Sequence, residues 1–172
     1  VEAAGVRGCN VRMPEKGAAD RLADVVEESA GRAGPVNTLV VRDDGEFLCL
    51  STEGGGFVAS LEASGVPPRP QTRALLLGAG GAARSVAAAL QDSGLEVVIT
   101  NRTHERARAL VAALPGAQAL PWPMWEERLG EFSLLVNTTS LGMEGGPDPL
   151  FSPSLAHASE HLVVADIVYV PR

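Results

Sequence analysis

The sequence predicts the α/β class: a parallel β-sheet flanked by helices, preceded by a smaller α/β unit. Three observations carry this prediction. From residue 73 onward, short aliphatic runs alternate with helical patterns, the rhythm of βαβ units. A glycine cluster, Gly78-Ala79-Gly80-Gly81, joins the first of those runs to a small-residue helix. Upstream, "VPPRPQT" has three prolines in seven residues and no periodicity, the mark of a linker. The chain is therefore read as a first unit over 1–66, a linker over 67–72 and a second unit over 73–172.

The elements follow in order. A strand is expected over Val6–Met13, stopped by Pro14. Asp20 caps a helix with Leu22, Val25, Val26 and Ala30 at helical spacing, and Gly31 and Gly34 close it. "VNTLVVRDDGEFLCLS" reads as a hairpin, two β-rich runs joined by Asp43-Asp44-Gly45. "STEGGGFVASLEASG" starts as a loop and becomes a short helix. In the second unit, strand Ala74–Leu77 leads to helix Ala82–Asp92, strand Glu96–Thr100, helix Glu105–Leu114 and a short strand near Ala117–Leu120. "PWPMWEERLGEF" is irregular, and strands Leu134–Asn137 and Leu162–Ile167 complete the series.

Composition narrows the function. The 172 residues are 45% hydrophobic and 20% charged, a globular balance. Aromatics are 4%, so small aliphatic side chains build the core. A net charge of −7 argues against a nucleic-acid partner or an anionic membrane surface, both of which need a basic excess. No apolar run approaches the ~20 residues of a membrane helix. Cys9 and Cys49 form no CxxC or Cys/His cluster, so no metal site is expected. They read as buried free thiols of a cytoplasmic, reducing environment. The chain starts at Val1 and stops just after a strand, and reads as a piece of a longer protein.

The glycine cluster carries the chemistry. Gly78-Ala79-Gly80-Gly81-Ala82-Ala83 follows a G-x-G-x-x-A pattern between a strand and a helix. Gly78 permits the tight turn, Gly80 lets the backbone approach a pyrophosphate, and Ala83 keeps helix and strand close. The free N–H groups of the loop, Gly78, Ala79, Gly80, Gly81 and Ala82, and the positive end of the helix then face the phosphates. The loop reads as the phosphate loop of a Rossmann-like domain, the alternative being a helix-start turn with no ligand. Where an NAD site wants an acid some 20 residues on, this chain has "TNRTHERAR". Asn101 and Arg102 stand at the strand end, with Arg106 one turn further. A guanidinium there suits a 2′-phosphate, so the expected cofactor is NADP. Arg108 reads as part of a solvated helix face.

Taken together, "GAGGAAR", "NRTHERA", "LLVNTTSLGM" and "ADIVY" resemble the nucleotide domain of the shikimate dehydrogenase family. "GCNVRMPEK", "AGPVNTLV" and "DDGEFLCLSTEGGGF" resemble its substrate-domain segments. The resemblance covers almost the whole chain. It implies a Rossmann-like NADP domain joined to a partial α/β substrate domain. The implied activity is NADP-dependent interconversion of 3-dehydroshikimate and shikimate, in aromatic amino-acid biosynthesis, by a monomer or homodimer. It implies that Lys16 is the catalytic lysine and that Glu53 stands at the catalytic acid position. Asn37 and Tyr169 would be substrate ligands. Asn137, Thr138 and Thr139 would line the cofactor with Thr103, and Met143 would lie by the nicotinamide.

The sequence also departs from the family. Ser51-Thr52-Glu53-Gly54 stands where the family has "NTDG", and the extra methylene of Glu53 moves its carboxylate. A misplacement of ~1 Å can cost ~100-fold in rate. Arg12 replaces a threonine that contacts substrate; it either binds a substrate carboxylate or fills the site. The family's first strand–helix units and its closing helix are absent, so the chain alone is expected to turn over poorly. Two alternatives follow. One is a dehydrogenase of quinate or another polyol acid, and the other is an NADP-binding homologue that has lost catalysis.

Overall fold

A computed structural model describes residues 5–11, 24–26, 28–34, 36–148 and 151–169. The first unit contains β1 (Gly8–Asn10), β2 (Val25–Val26), α1 (Glu28–Ala33), β3 (Thr38–Val41), β4 (Phe47–Leu50) and α2 (Glu53–Ala63). The hairpin forms as expected, with β3 antiparallel to β4. Its turn closes by Arg42 N donating to Glu46 O (2.9 Å) and Gly45 N to Arg42 O (3.0 Å). The sheet order is β1-β3-β4-β2, and Val36, Leu39 and Cys49 form a small core on it.

Several local expectations are corrected here. Val25 and Val26 are not helical: they pair in parallel with Leu48 and Cys49. Two β-branched residues gain more from an open strand edge than from a helix, and Asp24 anchors the pairing by accepting from Phe47 N at 2.9 Å. Among the described residues the helix spans Glu28–Ala33 and contains Gly31, and Gly34, at φ +93°, ends it, while Asp20 and Leu22 lie outside the described residues. The strand expected over Val6–Met13 shortens to Gly8–Asn10 within the described residues. Cys9 is exposed, and only Cys49 is buried. The glycine triplet Gly54–Gly56 lies inside α2, which starts at Glu53.

The second unit contains β5 (Arg73–Leu77), α3 (Gly81–Asp92), β6 (Glu96–Asn101), α4 (His104–Ala112), β7 (Gln118–Pro121), β8 (Leu134–Asn137) and β9 (Val163–Asp166). All five strands are parallel, in the order β7-β6-β5-β8-β9. Alternation along each strand supplies two apolar faces. Leu76, Ile99 and Val136 face α3 and α4, and Ala83, Val86, Ala87 and Leu90 give α3 its buried stripe. Ala33 and Leu61 of the first unit enter this same core, because α1 and α2 both pack on α3. Leu75, Leu77, Val98 and Leu135 face the irregular segment, covered by Trp125, Leu129 and Phe132. Trp122 and Trp125 are tilted ring neighbours 5.8 Å apart, with Trp125 buried as a packing residue.

Candidate active site

Parallel strands end together, so the loops after β5, β6 and β8 share one edge of the sheet. The chain runs from β5 outward to β6 on one side and returns to β8 on the other. The crevice beyond β5 and β8 is thus the switch point where such sheets take ligands. Short hydrogen bonds stitch the strand ends. Gly78 N donates to Thr100 O at 2.8 Å, and Thr138 donates to Leu77 O through both its N (2.9 Å) and its Oγ1 (2.7 Å).

The glycine loop sits against that stitch. Gly78 has φ +111°, and a Cβ there would lie 2.7 Å from Thr138 Oγ1. Gly80 and Gly81 are different: a Cβ on either would meet nothing within 4 Å. Gly78 is thus dictated by packing, whereas Gly80 and Gly81 leave open space above the backbone. No side chain caps the start of α3 and no acid occupies its first turn. The N–H groups there are free for an anion.

Asn101 ends β6 and donates from Nδ2 to Thr103 O at 2.9 Å, shaping the turn into α4. Thr103 is the residue just before α4, Arg102 precedes it, and Arg106 lies in the first turn. Arg102 and Arg106 are exposed, and among the described residues neither side chain has a hydrogen bond or ion pair. Two unneutralised guanidinium groups by an uncapped helix start suit a phosphate-bearing ligand. His104 starts α4, and its buried Nδ1 has no hydrogen-bond partner among the described residues.

After β8, Asn137 acts as a bracket. It is 6% exposed, and its Nδ2 donates to Leu141 O (3.1 Å) and to Asp166 Oδ1 and Oδ2 (3.1 and 3.2 Å). Its Oδ1 accepts from Thr139 N (3.1 Å) and Oγ1 (2.6 Å). The loop carrying Thr138, Thr139 and Met143 is thereby pinned to β9. Asp166 also accepts from Val168 N at 2.8 Å, which sets the chain leading to Tyr169. Tyr169 is 71% exposed and Met143 37%.

On the first unit, β3 and β4 bring two expected site segments together. Asn37 Nδ2 lies 3.1 Å from Thr52 Oγ1, and Thr52 N donates to Asn37 Oδ1 at 3.0 Å. Asn37 is therefore a direct neighbour of the Ser51–Glu53 segment. Glu53 is exposed as the first residue of α2, where a carboxylate is favoured by the free N–H groups. Ser51 Oγ is buried and has no hydrogen-bond partner among the described residues. Arg12 and Lys16 lie outside the described residues. Sequence reasoning overlooked Thr52, as well as Arg84 and Ser85 of α3. The available signal was a pair of polar residues inside an otherwise Ala- and Val-rich helical stripe. Among the described residues, no three His, Cys, Asp or Glu side chains converge as a metal site, and no helix is long and apolar enough to cross a membrane.

Residues 62–170, more than half of the chain, match the family described as Shikimate / quinate 5-dehydrogenase. The chain belongs to that family. Among curated members, "Shikimate dehydrogenase (NADP(+))" of Gluconobacter oxydans is 49% identical over 170 residues, covering 99% of this chain and 60% of the relative. That of Acidiphilium cryptum is 49% identical over 167 residues, 97% of this chain and 59% of the relative. The chain thus spans about 60% of the length of the family members it matches. Of solved family structures, shikimate 5-dehydrogenase from Thermus thermophilus, in complex with NADP(H) and shikimate, superposes with TM-score 0.80 at 41% identity. The match covers 96% of this chain and 59% of that one. Quinate dehydrogenase from Corynebacterium glutamicum in complex with NAD superposes with TM-score 0.85 at 28% identity, over 98% of this chain and 61% of that one. The family membership accords with the mixed α/β architecture and its five-stranded parallel sheet.

Proposed function

We propose that this chain carries the nucleotide half and part of the substrate half of an NADP-dependent shikimate dehydrogenase, which interconverts 3-dehydroshikimate and shikimate. NADP, when bound, supplies or accepts the hydride. The observation that carries the cofactor choice is Arg102. It stands exposed and unpaired at the end of β6, where an acid would select NAD, and Arg106 is one turn away. The loop Gly78–Ala82 holds the pyrophosphate on the free N–H groups of α3. Asn101 and Thr103 shape the ribose turn. Asn137, Thr138 and Thr139 line the opposite wall and place Met143 by the nicotinamide.

On the substrate side, Asn37 hydrogen-bonds a substrate hydroxyl, with Thr52 holding its amide in place. Tyr169 approaches the substrate from the far wall. Lys16 holds the reacting oxygen and moves its proton, with Glu53 as the partner acid. Arg12 either binds the substrate carboxylate or fills the site. The 51–53 segment differs from the family pattern at two of its three residues, and this observation favours one second reading, oxidation of quinate by the same machinery.

The test is NADP⁺ reduction by the full-length protein with shikimate, with quinate and NAD⁺ as parallel arms. Turnover with shikimate and NADP⁺ supports the reading. Turnover with quinate alone replaces the substrate, and NADPH binding without turnover on either removes the dehydrogenase reading. Arg102→Asp should weaken NADPH binding roughly ten- to a hundredfold, the loss of one or two charge-assisted hydrogen bonds. An unchanged affinity for NADPH would exclude Arg102 from the 2′-phosphate site.

A further inference from the structure

We infer that Arg84 and Ser85 are positioning residues that set the distance between the cofactor loop and the substrate-side residues; this rests on the function proposed above. The two residues lie on the second turn of α3, just after the glycine loop. The Arg84 guanidinium donates to Gly31 O and Arg32 O, each at 3.0 Å. Ser85, 1% exposed, donates from Oγ to Ala33 O at 3.0 Å. Three consecutive carbonyls at the end of α1, which find no donor inside their own helix, are thereby taken up by α3. Arg32 returns the tie, reaching Asp92 Oδ1 (2.5 Å) and Gln91 Oε1 (3.2 Å) at the other end of α3.

Both residues also press on the turns that lead to the substrate-side groups. A Cβ on Gly34 would lie 2.7 Å from Arg84 Cδ, and Gly34 is three residues before Asn37. A Cβ on Gly54 would lie 2.3 Å from Ser85 O, and Gly54 follows Glu53 directly. One short stretch of α3 therefore fixes the Asn37 turn and the Glu53 helix start to the element that begins at the phosphate loop. Hydride transfer depends steeply on this separation, since ~1 Å of misplacement costs about 100-fold. Arg84 and Ser85 touch neither reactant; they act through α1 and α2.

The experiment compares Arg84→Ala, Arg84→Lys and Ser85→Ala with the wild type in the full-length protein. NADPH affinity is read by fluorescence, and kcat, KM and the primary isotope effect with deuterated NADPH are read by turnover. For Arg84→Ala the expected result is unchanged NADPH affinity, kcat lowered by about 10- to 100-fold, and a larger isotope effect on kcat. Arg84→Lys restores part of kcat, because an ammonium still reaches one carbonyl. A role in folding alone would lower the melting temperature and the active fraction without moving the isotope effect, and that result overturns the inference. Loss of NADPH affinity in step with kcat also overturns it. Absence of turnover in the wild type removes the proposed function, and the inference is then decided by a distance measurement that needs no turnover. Nitroxides on Asp44→Cys and Arg108→Cys, in a Cys9→Ser background, then report the separation of the two sheets by pulsed electron resonance. A broadened or shifted distance in Arg84→Ala supports the clamp, and an unchanged distribution refutes it.

Discussion

Gly54→Ala isolates the tightest site for an added Cβ among the described glycines. The new Cβ would stand 2.3 Å from Ser85 O and 2.9 Å from Ala89 Cβ, where ordinary contact begins at 3.4 Å. Neither partner is the end of a flexible side chain, so α2 and α3 must part by about an ångström at this point. Overpacking of this kind costs about 1–3 kcal/mol. Alanine in place of glycine within a helix offsets roughly 1 kcal/mol of that. Gly55 supplies the control: it lies in the same turn of α2, and a Cβ there would meet nothing within 4 Å. Gly55→Ala should therefore stabilise by about 1 kcal/mol, while Gly54→Ala changes stability by about 0 to 2 kcal/mol in the destabilising direction. Urea unfolding followed by circular dichroism reads the difference. With a slope of about 1–3 kcal/mol per molar, the Gly55→Ala midpoint should rise while that of Gly54→Ala does not, separating the two by a resolvable fraction of a molar or more. If both variants shift upward together, the α2–α3 contact is not what requires glycine, and the reasoning fails.

Two further predictions rest on single residues. Gly78→Ala must place a side chain at φ +111° and 2.7 Å from Thr138 Oγ1, a strain of about 1–3 kcal/mol, so NADPH binding should weaken by roughly ten- to a hundredfold; fluorescence titration giving the wild-type Kd would contradict this. Hydrogen bonds from Arg128 first, and then from Arg73, hold the Glu131 carboxyl down at about 2. Its folded value lies below its unfolded one, so this brace is complete above about pH 4.5 and is lost as the pH falls through about 2. Carbon NMR titration should place the Glu131 midpoint near the low value, and Arg128→Ala should move it up toward the ordinary range. A midpoint that ignores Arg128 would remove that arginine as the cause.

The second unit was legible in the sequence because its signals are local. Strand Leu134–Asn137 was expected with the bounds it has, and the strands and helices around the glycine loop shift by no more than a residue or two at most ends. Each buried parallel strand needs a continuous aliphatic run, and each helix on it needs an apolar stripe. Gly78 and the bare Asn101-Arg102 end of β6 could likewise be read from spacing, because phosphate binding uses backbone geometry next in sequence to the strands. The first unit was less legible, since its partners are distant in sequence. Val25-Val26 fits a helix as well as a strand until the free edge of β4 decides. Gly54–Gly56 reads as a loop until packing on α3 outweighs the poor helix propensity of glycine. Cys9 reads as buried until its strand proves to be an edge.

The site divides in the same way. Residue types suggested the chemistry proposed for each segment: free N–H groups for phosphate, guanidinium for a 2′-phosphate, and carboxylate and amide for a polyol. Tertiary structure alone decided how those segments are held. It put Thr52 against Asn37, turned Asn137 inward onto Asp166, and directed Arg84 and Ser85 to the carbonyls of α1 instead of to the ligand. These choices depend on which groups are left unpaired when separate elements meet, and a buried polar group takes whichever partner the packing brings within hydrogen-bonding reach.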